Sequence, residues 1–464
     1  MIPRFAVVGH PNKGKSSIVS TLAEDANVAI SRTPGTTTAA RSFPLKIDGQ
    51  LIYELIDTPG FQRPRQVLAW LESHSKSASD RADVVKQFVE EHRDDPKYHD
   101  ECELLTPLIN GAGILYVVDG SKPFGAEYET EMQILRWTGR PRMALINLIG
   151  DEDHTEPWQR ALDQYFSLVR VFDALHSDTA TRLSLLRSFG EIYEPWRLSI
   201  EFAVDALERE YRSRIKLAAN SVSQLLHHAL TAQQSARLGA TDDAGPQQLK
   251  LEDRLRDSLR RKEQAMQKDL VSIYRHTGSV IEHKGAKALS LDLFSRESES
   301  LFGLSKMQLA ASGAVSGGVA GTGIDVLLGG ASLFTGAAIG AVIGGVSAVL
   351  GSDKVGKVTV LGQPLTEREL VVGPFRDVNL PWILLGRALL FFHLVAGRNH
   401  ARRDAIVLLG DEAGLSAGRI NEDLRKSLDR YFSAVRVDSG KADQVQLSNY
   451  LGELFNGDEP KQGT

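Results

Sequence analysis

Gly9-His10-Pro11-Asn12-Lys13-Gly14-Lys15-Ser16-Ser17 decides how this chain is read. The run satisfies G-x-x-x-x-G-K-[ST], in which glycines turn the backbone tightly and aim N–H groups at phosphate oxygens. Lys15 is placed to reach β- and γ-phosphates, and the Ser16 hydroxyl to bind Mg²⁺. A helix opening at Ser16 adds the positive end of its dipole. Gly9, Asn12, Lys13, Gly14, Lys15, Ser16 and Ser17 are thus candidate nucleotide-binding residues. The flanks agree. Arg4-Phe5-Ala6-Val7-Val8 reads as a buried strand entering the loop, and Ser17 to Leu22 as a helix with an apolar face.

Downstream, Ser31 to Thr38 carries Pro34-Gly35-Thr36-Thr37, which predicts a loop. Ser42 to Ile47 and Leu51 to Ile56 flank Asp48-Gly49, a strong hairpin signal. The second arm runs into Asp57-Thr58-Pro59-Gly60. An aspartate at the carboxyl end of a strand beside a phosphate loop suits a Mg²⁺-associated carboxylate. The Gly60 N–H would meet a γ-phosphate only when one is present, which predicts an order–disorder switch.

In this order the phosphate loop, the PGTT loop, the hairpin and DTPG resemble the bacterial Era, TrmE and Der branch of GTPases. The resemblance covers roughly residues 4–176. It implies that Thr37, with Ser16, coordinates Mg²⁺ and that Asp57 holds the ion through water. By the same resemblance Thr36 lines the nucleotide site, and Lys15, Thr37 and Gly60 carry the catalytic roles, with GTP and GDP as the ligands.

The remaining pattern of this part predicts an α/β fold. Residues 61–110 read as a long, charged, mostly helical insertion. Gly113 to Asp119, Met143 to Asn147 and Leu168 to Phe172 read as strands, with a helix over Glu127 to Trp137. Strands alternating with helices imply a mostly parallel sheet covered on both faces. In the resembling family the base is read by Asn-Lys-x-Asp. Here only Asn147 matches, and Asp151 takes the guanine-reading role if the loop is one residue longer. After DTPG comes Phe61, where many GTPases place a water-orienting glutamine, so slow intrinsic hydrolysis is expected. Asn12 resembles the asparagine of potassium-activated relatives, in which K⁺ does an arginine finger's work and head-to-head dimers form. The other reading of Asn12 is a simple cap on the loop.

From about Tyr193 the pattern turns helical. We expect a GTPase domain over 1–192 and a mainly α-helical domain over 193–464, with a long helical hairpin at 200–276. Leu309 to Gly351 holds 12 of the 41 glycines and one charged residue, Asp325. Its spacing-four small residues, Gly313-Gly317-Gly321 and Gly336-Gly340-Gly344-Ala348, suit closely packed helices. Two readings stay open: a membrane-inserting glycine-zipper hairpin, or a helical pair buried in a soluble domain. Trp382 to Ala396 is an apolar helix whose Arg387 and His393, with Arg398, His400, Arg402 and Arg403, face either anionic headgroups or water.

Composition narrows the function classes. The chain has 464 residues, 42% hydrophobic and 24% charged, with net charge −5, and no evident nucleic-acid module. The single Cys102 excludes an intramolecular disulfide and a cysteine zinc site. No signal pattern opens the sequence, so a cytoplasmic location is expected, at the inner membrane if the hairpin inserts. A GTP-hydrolysing switch is the leading expectation. A nucleotide-binding scaffold with little turnover and a ribosome- or RNA-linked GTPase are the alternatives.

Overall fold

The computed structural model describes residues 2–24, 39–150, 152–175, 177–238, 243–276, 291–304, 348–351, 359–360, 363–364, 368–398 and 420–457. The chain divides into two compact units, 1–212 with 397–403, and 213–396 with 404–464.

The first unit is a six-stranded sheet in the order β2-β3-β1-β4-β5-β6. The strands are β1 (Arg4–Val8), β2 (Arg41–Ile47), β3 (Gln50–Asp57), β4 (Gly113–Asp119), β5 (Arg142–Asn147) and β6 (Leu168–Phe172). All pair in parallel except the edge strand β2, which runs antiparallel to β3. The β2–β3 turn is made by Asp48 and Gly49, both at positive φ (50° and 77°), as a tight hairpin with right-handed strands requires.

A parallel sheet covered on both faces needs strands apolar on both sides, and these are. Phe5 and Val7 belong to one core with Ile18, Leu55, Leu115 and Phe189. Ala6 and Val8 belong to the other with Phe61, Tyr116, Leu105 and Trp158. Helices α1 (Lys15–Ala23) and α7 (Thr179–Ile192) cover the first face. The second is covered by α2 (Pro64–His74), α3 (Arg81–His92), α4 (His99–Ile109), α5 (Glu127–Trp137) and α6 (Thr155–Leu162). The expected insertion is therefore three helices, α2 to α4, and its apolar face is part of the main core. Helix α8 (Arg197–Thr231) begins in this unit, where Ile200, Ala203 and Val204 seal the first core.

In the second unit α8 continues and meets α9 (Ala244–Ile273) in antiparallel fashion. Ser221 Oγ donates to Asp269 Oδ2 at 2.9 Å, and His228 Nε2 lies 3.0 Å from Ser258 Oγ. The helical expectation fails between them. Residues 234–238, inside the stretch expected to be a helical hairpin, form β7 (Gln234–Leu238). β7 and β8 (Ala348–Gly351) flank β11 (Arg368–Val372) in an antiparallel sheet. Residues 348–351, expected to end a helical arm, are likewise strand. In both cases long-range backbone pairing with β11 overrides local helical pattern. A two-stranded ladder, β9 (Thr359–Val360) with β10 (Gln363–Pro364), completes the strands described. The rest of the glycine-rich hairpin, 309–347, lies outside the described residues.

Among the described residues, three further helices follow α10 (Arg296–Phe302): α11 (Leu380–Ala396), α12 (Glu422–Val437) and α13 (Gln444–Gly457). α11 is apolar and almost wholly buried, with Trp382 edge-on to Phe432 and Phe392 stacked on Phe455. Its one cation does not face headgroups. Arg387 is 3% exposed, and its guanidinium grips Glu263 at 2.6 and 3.3 Å and donates to Leu291 O and Ser298 Oγ. Among the described residues no helix is long and apolar enough to cross a membrane.

Candidate functional site

Parallel pairing lines up the carboxyl ends of five strands, the usual place for a ligand in an open α/β sheet. Val7 pairs with Asp57, Asp119 with Asn147, and Asn147 with Phe172. The Gly9–Gly14 loop leaves β1 at this edge and delivers its backbone into α1.

The loop wraps the Lys15 side chain. Lys15 Nζ donates to the Gly9 and His10 carbonyls, each at 3.1 Å. Lys15 is 8% exposed, and burial pulls its pKa down to about 8, with Asp57 and Glu131 opposing the shift. Ser16 Oγ, in the first turn of α1, donates to Asp57 Oδ2 at 2.9 Å. Asp57 is itself buried at the end of β3. Thr58 pins the DTPG turn by donating to Val7 O at 2.8 Å. Gly60 then passes so close to Pro11 that a Cβ there would sit 2.7 Å from Pro11 N. Only glycine lets the two loops approach in this way.

A hydroxyl and a carboxylate beside a phosphate loop are hard oxygen donors. Mg²⁺ takes one or two such protein ligands and completes its shell with phosphate and water. Ser16 and Asp57 fit that donor set. Thr36, Thr37 and Asp151 lie outside the described residues.

Asn147, the one matching residue of the base motif, is 3% exposed. Its amide donates to Lys13 O and accepts from Ala174 N, both at 3.3 Å. It therefore braces the phosphate loop against the turn after β6. Gly14, at φ 81°, lies directly under this amide, and a side chain there would collide with Asn147 Nδ2. The Lys13 ammonium lies 3.8 Å from Asp119 Oδ2 and 5.6 Å from the centre of the Tyr128 ring. Asn12 is exposed in the left-handed region, φ 61°, a conformation asparagine tolerates better than most residues. Its amide makes no hydrogen bond to another described residue. Ser17 is half-buried in the first turn of α1.

Three functional candidates escaped the sequence reading, all of them glutamates. Glu131 of α5, 1% exposed, holds His10 Nδ1 at 2.8 Å and accepts from Tyr116 OH at 2.9 Å, fixing the loop from below. Its position on the face of Tyr128, Met132 and Leu135 was the available signal. Glu101 of α4 accepts from the N–H groups of Gln62 and Arg63 at 2.9 and 2.5 Å. Glu103 accepts from Ala40 N at 2.8 Å.

Comparison with known proteins bears on both parts. A family model described as "Domain of unknown function (DUF3482)" matches residues 159–451, well over half of the chain. The chain belongs to the DUF3482 family. A second model, described as "50S ribosome-binding GTPase", matches residues 4–147. With the strand order and phosphate loop, it gives the first part of this DUF3482 chain a P-loop GTPase fold. GTPase Der of Agathobacter rectalis is 42% identical over 87 residues, covering 18% of this chain and 20% of that protein. GTPase Der of Methylibium petroleiphilum is 25% identical over 239 residues, covering 51% of this chain and 45% of the relative. The chain thus spans less than half the length of these curated relatives. A crystal structure of Aquifex aeolicus Era matches at 16% identity over 53% of this chain and 75% of that one, with a TM-score of 0.27, too low to carry an argument.

Proposed function

We propose that the chain binds GTP with Mg²⁺ and hydrolyses it to GDP and phosphate as a molecular switch. The observation that carries the reading is the buried Lys15 ammonium inside the loop, beside the joined Ser16 and Asp57. In this reading Gly9, Asn12, Lys13, Gly14, Lys15, Ser16 and Ser17 wrap the phosphates. Thr36 and Thr37 close over them, and Gly60 senses the terminal group. Ser16, Thr37 and Asp57 hold the metal, which neutralises phosphate charge when bound. Asp151 reads guanine beside Asn147, and the relatives' printed name, GTPase, supports that base over others.

Phosphoryl transfer needs charge stabilisation and a placed water more than covalent chemistry. Phe61 is 1% exposed inside the core and orients no water, which supports a slow intrinsic rate. The free-standing Asn12 amide supports K⁺ as the missing positive charge, with a nucleotide-dependent dimer of GTPase domains shielding the ion. The test is GTP turnover by the full chain with Mg²⁺. Phosphate release that disappears in Lys15→Ala supports the switch; binding without release supports the scaffold.

The glycine-rich stretch 309–351 supports association with the inner membrane. Carbonate extraction of expressing cells tests it, and release into the soluble fraction would exclude insertion. A second reading rests on the family description of a ribosome-binding GTPase. Cosedimentation of the chain with ribosomes in the presence of a non-hydrolysable GTP analogue tests that partner.

A further inference from the structure

Helix α2 begins three residues after Phe61 and has no side-chain cap of its own. The orphan N–H groups at such a start need a partner. Glu101, from another helix, takes the two backbone N–H groups immediately ahead of Pro64. Its Oε1 accepts from both Gln62 N and Arg63 N, and the residue is 0% exposed. Its Oε2 is buried with no hydrogen-bond partner among the described residues. A carboxylate is costly to bury and is kept where its charge is used, here at the positive end of α2. Arg63 Nη1 adds a bond to Lys97 O at 2.8 Å, just ahead of α4.

Two residues along α4, Glu103 accepts from Ala40 N at 2.8 Å, where the chain enters β2. Ala40, Phe61, Val67, Cys102 and Leu105 all pack in one core. A single helix of the insertion therefore grips the chain at two points, at the start of β2 and just past the DTPG turn. One anchor lies two residues past Gly60, the other three past Thr37.

We infer that Glu101 and Glu103 are positioning residues that tie the segment after the DTPG turn and the start of β2 to α4, so that the inserted helices move with the nucleotide state. The inference rests on the proposed GTP-switch reading. Loops joined through one rigid helix respond together, because a packed core shifts between discrete arrangements rather than deforming continuously. A displacement of Gly60 toward a γ-phosphate is passed to α4 by Glu101, and from α4 to Ala40 by Glu103. The insertion, with its exposed outer face, becomes the part of the domain that reports the bound nucleotide.

The test uses the full chain with Mg²⁺ and fluorescent GDP or a non-hydrolysable GTP analogue. Glu103→Ala is the first variant, because Glu103 is only half-buried. Its affinity for the analogue should fall about tenfold while GDP affinity stays within about twofold, a coupling of ordinary allosteric size. The turnover number should fall with it, and Glu103→Gln, which keeps an acceptor oxygen, should recover most of the loss. Glu101→Gln should keep GDP affinity and lose part of the analogue preference. Variants that lose both nucleotides alike, or neither, would overturn the inference while leaving the switch reading intact. Wild-type protein that binds neither would overturn both.

Discussion

Lys15 offers a quantitative test because its ammonium is buried before any ligand arrives. Burial lowers its pKa to about 8. A bound polyphosphate surrounds it with negative charge and raises that pKa well above the working range. The complex therefore needs the protonated lysine, and free protein loses it as pH rises through about 8. Kd should weaken about tenfold between pH 7 and pH 9, a change of about 1.4 kcal/mol. An unperturbed lysine, with its ordinary pKa of 10.5, would give almost no change over the same interval. The linkage to folding has the matching sign: between about pH 8 and 10.5 the unfolded chain holds more protons, so the nucleotide-free protein gains stability there as pH rises. The assay is a titration of GDP with Mg²⁺ at several pH values, repeated on Lys15→Arg, whose guanidinium stays charged throughout. A slope in the wild type that vanishes in the variant is expected. A pH-independent wild type, or the same slope in Lys15→Arg, would refute the reasoning.

Gly60→Ala places a methyl against Pro11 and should abolish any preference for GTP analogues over GDP in a competition titration, with GDP binding kept. Hydrolysis should run faster in KCl than in NaCl, and Asn12→Ala should erase the difference; equal rates in both salts would remove the potassium proposal. Arg387→Ala leaves Glu263 charged and buried, which should cost about 3–5 kcal/mol in urea unfolding, whereas changing both residues to Met should recover most of it. Liposome binding should be unchanged in Arg387→Ala, since that guanidinium is spent inside the helical unit.

The strands that build the site were legible because they depend on local signals. Arg4 to Val8 is apolar on both faces, and Asp48-Gly49 can form only a tight turn. The glycines of the phosphate loop also announced themselves, since their roles are steric. What stayed hidden depends on distant partners. Residues 234–238 and 348–351 become strands only because 368–372 lies between them. Glu101, Glu103 and Glu131 look like ordinary charges on helices, and the sequence does not show that backbone N–H groups or His10 will meet them. Asn147 was legible as a site residue, while its work as a brace required seeing Lys13 and Ala174 at its two ends. Arg387 misled for the same reason. A cation in an apolar helix invites a headgroup until Glu263 appears opposite it.

The most direct measurement is calorimetric titration of GTP, ATP and XTP into the purified full chain with Mg²⁺. Saturable binding of GTP, weaker binding of the other two, and its loss in Lys15→Ala are predicted. No heat of binding for any of the three would contradict a phosphate-gripping loop at Gly9–Ser17, and with it the account of the site.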